Sequence, residues 1–265
     1  YLARLFRRLR EINTSDKEYE RIRHLMMGLF GYSQKRREEY YLIKLLARSA
    51  KEDIESFSSL PEYLRCTSFW NKLFASYAKS SRDRKFMRDV LGPVVKESVI
   101  ENPDLDLESD PIQIYRSAIN NEELQTGQRS RRQPDLPREE AIRDPETRET
   151  FIQHLQDLRD IVDQLFLGLE DFLYRMPFGI RYLAQQMYQN LLERFHGEDP
   201  GSVLQTVGHW VWKSYFQPAV LEPEKYGVID RGLTQEQKRN LGEISKVVAQ
   251  IASGRLFGAD ILCPK

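Results

Sequence analysis

The 265-residue chain has little cysteine: only Cys66 and Cys263, far apart. Two isolated thiols make neither a disulfide framework nor a zinc site, and they fit a reducing, intracellular setting. The four histidines, His24, His154, His196 and His209, include no pair at metal-ligand spacing with another His or with Cys. There is no P-loop, no dinucleotide-binding glycine fingerprint and no nucleophile elbow. Gly28-x-x-Gly31 is too short to cradle phosphate. No apolar run reaches the roughly 18 residues that a membrane-spanning helix needs. The opening stretch from Tyr1 to Arg10 is basic and amphipathic, without the apolar core or cleavage site of a signal peptide. With no initiator Met, the chain reads as a fragment of something longer. Net charge is missing too: Lys+Arg 40 balances Asp+Glu 40, against the strongly basic balance of a dedicated nucleic-acid binder. These absences leave no metal, no cofactor and no nucleophile of the chain's own. Any catalysis here would lend a residue to another protein's active site.

What is present is helical periodicity. With 40% hydrophobic and 30% charged residues, the chain can bury a sizeable core. Between 36 and 57, Leu42, Leu46, Ala50, Ile54 and Phe57 form one stripe. Between 147 and 175 the stripe is Phe151, Leu155, Leu158, Val162, Leu165, Leu169 and Phe172, in alternating steps of 4 and 3. That spacing predicts one long buried helix of a bundle. Asp110-Pro111 and Asp199-Pro200 each place a cap before a proline at the first helical position. Thr234-x-x-Gln237 reads as a capping box, and Gly197 and Gly254 read as stops. No strand-like alternation and no tandem repeat is seen.

Charge is unevenly spread. Residues 1–48 hold twelve Lys/Arg against six Asp/Glu, while residues 99–125 hold seven acids against Arg116 alone. Residues 126–137, with Arg129, Arg131 and Arg132, read as an exposed loop. The basic segment and this loop could meet an anionic phospholipid surface, or could simply be solvated.

A series of segments then carries a resemblance. They are Leu29-Phe30-Gly31-Tyr32-Ser33-Gln34-Lys35-Arg36-Arg37-Glu38-Glu39-Tyr40, Leu91-Gly92-Pro93-Val94-Val95-Lys96-Glu97 and Asp110-Pro111-Ile112-Gln113-Ile114-Tyr115. After Leu124-Gln125-Thr126-Gly127 come Met176-Pro177-Phe178-Gly179-Ile180-Arg181-Tyr182-Leu183-Ala184, Tyr215-Phe216-Gln217-Pro218-Ala219-Val220 and Gln237-Lys238-Arg239-Asn240-Leu241-Gly242. Taken in order, from about residue 25 to 258, they resemble the GAP-related domain of IQGAP scaffolds within the RasGAP superfamily, and a fungal member in particular. The resemblance implies an all-α domain over 1–265: a central part at about 60–230, with flanking helices from 1–59 and 231–265. It implies a groove that receives the switch regions of a Ras-superfamily GTPase of the Rho, Rac, Cdc or Ras class. It further implies one module of an actin and cytokinesis scaffold, cytoplasmic, at the cell cortex and contractile ring.

In that family a GAP inserts an arginine finger, whose charge stabilises the transferring phosphoryl group by about 10³–10⁵ in rate. A second Arg holds the finger loop. Here the Gln217-Pro218-Ala219 anchor puts the second Arg at Ser214. The finger register falls on Asp83, and a slip of one residue moves it to Arg82 or Arg84. An acid at the finger would repel phosphate, and Ser214 loses the helper Arg, so the expectation is a pseudo-GAP that binds without accelerating hydrolysis. Two alternatives stay open: an active GAP using Arg82 or Arg84, and a lipid or protein interaction domain without GTPase binding. The GTPase contacts implied are Arg82, Arg84, Lys85, Lys213, Gln217 and Lys246, with Arg181, Pro218 and Asn240 as structural residues. At 100° per residue Lys246 lies opposite the stripe Leu241, Ile244, Val248 and Ile251, and should face solvent.

Overall fold

The computed structural model describes residues 1–11, 15–65, 68–79 and 81–254, without the side chains of 10, 11, 64, 65, 81 and 82. Cys66 and Cys263 lie outside the described residues. Helices α1 to α6 span Leu2–Glu11, Asp16–Leu29, Arg36–Ile54, Leu60–Arg65, Phe69–Tyr77 and Ser81–Pro93. Next come α7 Pro111–Thr126, α8 Arg138–Ala141, α9 Pro145–Phe172, α10 Phe178–Arg194, α11 Pro200–Val211, α12 Gln217–Leu221 and α13 Gln235–Ala252. No strand occurs among the described residues, and the all-α class holds. None of their helices is long and apolar enough to cross a membrane.

Local chemistry sets the starts. The Asp110 side chain accepts from the Ile112 N–H, Asp144 from Thr147, and Asp199 from Ser202; each is followed by a proline in the first turn. These caps satisfy donors that the helix itself cannot pair, and proline costs nothing where no N–H is needed. The capping box at α13 is formed: Gln237 N–H donates to Thr234 Oγ1 at 3.2 Å, and Thr234 N–H to Gln237 Oε1 at 3.0 Å. Two helical stretches widen to π geometry, Val94–Ile100 after Pro93 and Trp212–Phe216 before Pro218. Pro218 cannot donate to the Ser214 carbonyl. The helix opens there, and Gln217 N–H reaches back to the Trp212 carbonyl.

One continuous core joins both chain ends to the middle. Phe6 and Leu9 of α1, Leu42 and Leu46 of α3, Leu165 of α9, Leu183 of α10, and Leu241 and Ile244 of α13 all belong to it. Its centre is aromatic: Phe74 lies 4.9 Å from the Trp210 ring and 6.4 Å from Tyr215, and Phe86 stacks on Tyr215 at 6.3 Å. Gly179 explains one fingerprint glycine. A Cβ there would sit 1.9 Å from the Tyr77 hydroxyl and 2.9 Å from Ile43, so only glycine lets α10 approach α3 and α5.

The long helix differs from its predicted stripe at one place. Phe151, Leu158, Val162 and Leu165 are buried, as is Ile161, but Leu155 is 40% exposed. The straight 3.6-residue helix drifts against a 3.5-residue repeat, which turns Leu155 to the edge and brings His154 inward. His154 Nδ1 lies 2.9 Å from the Glu108 carbonyl. The loop over 126–137 is also not freely solvated throughout. Arg132 pairs with Glu146 at 2.8 Å and Glu122 at 3.6 Å, beside a polar cavity of about 420 Å³ that Asp106, Ser117 and His154 help to line. Only Arg129 and Arg131 of that cluster are exposed.

The shifted stripe is testable. Leu165→Ala should cost about 2–5 kcal/mol of unfolding free energy, and Leu155→Ala under about 1 kcal/mol, measured by urea denaturation. Equal losses would restore the simple 4-3 seam.

Candidate functional site

Apart from Arg181 on α10, the residues singled out in sequence lie on the first turn of α6, the π-helical turn Trp212–Phe216, α12 and α13. The join between the first two is a side-chain hydrogen bond. Tyr215 Oη donates to Asp83 Oδ1 at 2.7 Å, with Tyr215 fully buried and Asp83 1% exposed. The residue on which the finger register falls is thus a buried one. Asp83 faces the core, so it cannot project into a partner's active site. Its acidic character suits the N-terminal turn of a helix, and its partner lies on an element remote in sequence.

Arg84 and Lys85, which follow Asp83, are exposed. The Arg84 stem runs along the backbone of Gly227, whose φ of +69° and absent Cβ allow that contact. Four residues on, Arg88 Nε donates to the Gly227 carbonyl at 2.9 Å and its Nη2 reaches Asp230 at 3.4 Å. The Lys79 ammonium lies 5.1 Å from the Tyr226 ring centroid. The segment after α12 is thus clasped against the start of α6. The Arg82 side chain, the other finger candidate, lies outside the described residues.

Ser214 is half-buried on the π-helical turn and its neighbour Lys213 is exposed. Gln217 is half-buried, and its Nε2 donates to Ser245 Oγ at 3.1 Å. That bond ties α12 to α13 immediately before Lys246. Lys246 is exposed, and its ammonium pairs with buried Glu243 at 2.5 Å. Glu243 also accepts from Ser109 Oγ at 2.6 Å. The cation is therefore held in place rather than free to swing. Pro218 sits in the first turn of α12. Asn240 is an internal brace: its Nδ2 donates to the Leu105 carbonyl at 2.7 Å and its Oδ1 accepts from Leu107 N–H at 3.0 Å. Arg181, expected as an internal strut, is instead exposed on α10, because Gly179 and Ile180 take the inward positions of that turn.

Tyr215, Arg88, Gly227 and Ser245 were not singled out from sequence. The one local signal was Tyr215 beside the Gln217-Pro218 anchor. Burial first, then the Asp83 charge and hydrogen bond, push the Tyr215 phenol well above its ordinary range. The surface offers exposed cations at Arg84, Lys85, Lys213 and Lys246, on the elements that the buried Tyr215–Asp83 bond and the Gln217–Ser245 bond join. Such an arrangement can hold an acidic partner surface.

Residues 45–253 match the protein family described as GTPase-activator protein for Ras-like GTPase. The Ras GTPase-activating-like protein IQGAP2 of Homo sapiens is 29% identical over 97% of this chain and 16% of its own length. Ras GTPase-activating-like protein rng2 of Schizosaccharomyces pombe is 26% identical, over 96% of this chain and 17% of its own length. Ras GTPase-activating-like protein rgaA of Dictyostelium discoideum is 26% identical, over 89% and 28% respectively. The chain thus spans under a third of each of these relatives.

Tyr215→Phe should keep the ring packing and lose the bond to Asp83, costing about 1–3 kcal/mol at neutral pH. The folded state holds the Tyr215 proton where the unfolded chain, titrating at about 10, has released it. Wild-type stability is therefore complete below that pH and falls as pH rises through it. Denaturant titrations on both sides of pH 10 should show a shallower alkaline loss for Tyr215→Phe. Identical slopes would mean that the phenol is not held by this bond.

Proposed function

The chain belongs to the GTPase-activator proteins for Ras-like GTPases, and from that premise we propose that it grips a Ras-superfamily small GTPase without supplying full catalytic help. The GTPase is of the Rho, Rac, Cdc or Ras class. The domain serves as one module of an IQGAP-like scaffold, acting in the cytoplasm at the actin cortex and contractile ring. Recognition runs through Arg84, Lys85, Lys213 and Lys246, joined by Arg82, with Gln217 bracing the surface from behind.

The observation that carries this reading is Ser214. The resemblance puts the arginine that steadies the finger loop there, and a serine has neither the reach nor the donors of a guanidinium. Lys213 does not substitute, since it points outward while Ser214 is half-buried. A finger acts by placing its cation against charge that develops on the phosphoryl group. A displacement of about 1 Å can cost 10²-fold. A loosely held cation therefore gives binding with little acceleration.

A second reading, an active GAP, is favoured by one observation. Asp83 is buried against Tyr215, and a buried acid does not reach out to repel a partner's phosphate. The finger then falls to Arg82 or Arg84. The Arg84 stem lies along Gly227 while the residue stays exposed, and both arginines remain candidates.

Single-turnover GTP hydrolysis on Ras, Rho, Rac and Cdc-type GTPases, with the chain in excess, separates the two. The expected result is binding with far less than the 10³-fold stimulation of a full finger, and a gain when Ser214→Arg restores the missing group. Stimulation of a thousandfold or more, abolished by Arg82→Ala or Arg84→Ala, would establish the active GAP instead. Lys246→Glu should weaken GTPase binding by roughly tenfold, about 1.4 kcal/mol, with an unchanged circular dichroism spectrum but a lower unfolding stability, because buried Glu243 loses its partner. Added salt should weaken wild-type binding, because exposed charges are screened.

A further inference from the structure

The exposed face of α3 carries one sign of charge. At 100° per residue Arg36, Arg37, Tyr40, Tyr41, Lys44 and Arg48 fall within one arc of about 140°, and all six are exposed. The two acids of the same helix start are turned away. Glu38 accepts from the Lys35 N–H at 3.0 Å, and Glu39 accepts from the Tyr77 hydroxyl at 3.1 Å. Arg48 is matched by Glu52 at 2.6 Å and marks the edge of the face. Neighbouring α10 has no acid from Phe178 through Gln189 and adds exposed Arg181. The next acids along, Glu55 and Glu193, share Lys51 at 4.0 and 3.5 Å. None of Arg36, Arg37, Lys44 and Arg181 has an ion pair among the described residues.

Aromatic rings run across this basic face from one helix to the other. Tyr41 meets Tyr40 edge-on at 5.4 Å. The Lys44 ammonium lies 5.7 Å from the Tyr40 ring and 5.2 Å from the Tyr182 ring, and donates to Tyr182 Oη at 3.0 Å. Tyr182 in turn stacks on Phe178 at 5.8 Å. Tyr40 and Tyr41 are 55% and 50% exposed, and Phe178 is 68% exposed.

We propose that this α3–α10 face docks on an anionic lipid bilayer, with Phe178 and the tyrosines entering the headgroup region and Arg36, Arg37, Lys44 and Arg181 meeting lipid phosphates. Rings with one apolar body and one polar edge favour a membrane–water interface. Unpaired cations on long stems lie down beside them without losing water. Phe178 stands out from the face, whereas an anchor for an acidic peptide lines a recess. In the loop over 126–137, Arg132 is pinned by Glu122 and Glu146 and is not available for this role. The residues of this face lie on α3 and α10, and Lys213 and Lys246 on other elements, so neither reading depends on the other.

The test is co-sedimentation of the chain with phosphatidylcholine vesicles, with and without phosphatidylserine. Binding should require phosphatidylserine. Each basic residue near such a surface is worth about fivefold in partitioning, so Arg37→Ala with Lys44→Ala should lose about 25-fold. Phe178→Ser should lose at least about tenfold, and Phe178→Trp should shift its emission to the blue on anionic vesicles. Circular dichroism should stay unchanged in all of these, since the side chains are exposed, and Lys246→Glu should bind vesicles as the parent does. Wild-type partitioning by the folded Arg37/Lys44 variant, or an unmoved tryptophan emission, overturns the proposal. Binding of soluble polyglutamate in preference to vesicles, with Phe178→Ser silent, also overturns it and assigns the face to an acidic protein.

Discussion

The hydrogen bond from Tyr215 to Asp83 is the joint on which the candidate site is built. It links the first turn of α6 to the π-helical turn over 132 residues of sequence. Both groups are buried, so breaking the bond leaves a carboxylate without part of its solvation, and the cost is larger than for an exposed pair. The ring of Tyr215 packs at the same time against Phe74, Phe86 and Phe216. A single side chain thereby fixes the start of α6 relative to α5 and α11. The exposed residues on either side, Arg84 and Lys213, inherit their positions from it.

A second consequence concerns charge. The chain is neutral in composition, yet its surfaces are not. Asp83, Glu38, Glu39 and Glu243 are turned inward or sideways to hydroxyls, backbone N–H groups and a neighbouring ammonium. The cations beside them in sequence are left outside. This follows from physical chemistry rather than chance: a carboxylate is short and accepts several hydrogen bonds close to the backbone. A Lys or Arg side chain carries its charge outward on a long apolar stem. Local basic surfaces arise without a basic protein, and they can attract acidic partners.

Membership of the GTPase-activator family covers residues 45–253, so nearly all of the machinery described lies within the shared part. Gly179 shows why a fingerprint residue can be read in two ways. In sequence it belonged to a recognisable string; in space it is the contact that lets α10 close on Tyr77 and Ile43. Asn240 is similar, a fingerprint residue whose two amide ends brace the stretch before α7. Arg181, from the same string as Gly179, serves no such bracing and faces solvent.

What the sequence by itself determined is the helical class, the caps at Asp110, Asp199 and Thr234, the buried stripe of α3, most of that of α9, and the family. Those features are local or periodic, and local dihedral preference and side-chain spacing decide them. What only the tertiary structure decided is the inward turn of Asp83, the hold of Gln217 on Ser245, the pinning of Arg132, and the aromatic–basic face of α3 and α10. Each depends on a partner on another element. No pattern of neighbouring residues says that Asp83 faces in. The buried hydroxyl of Tyr215 says it, because only an acceptor can satisfy that O–H in the core.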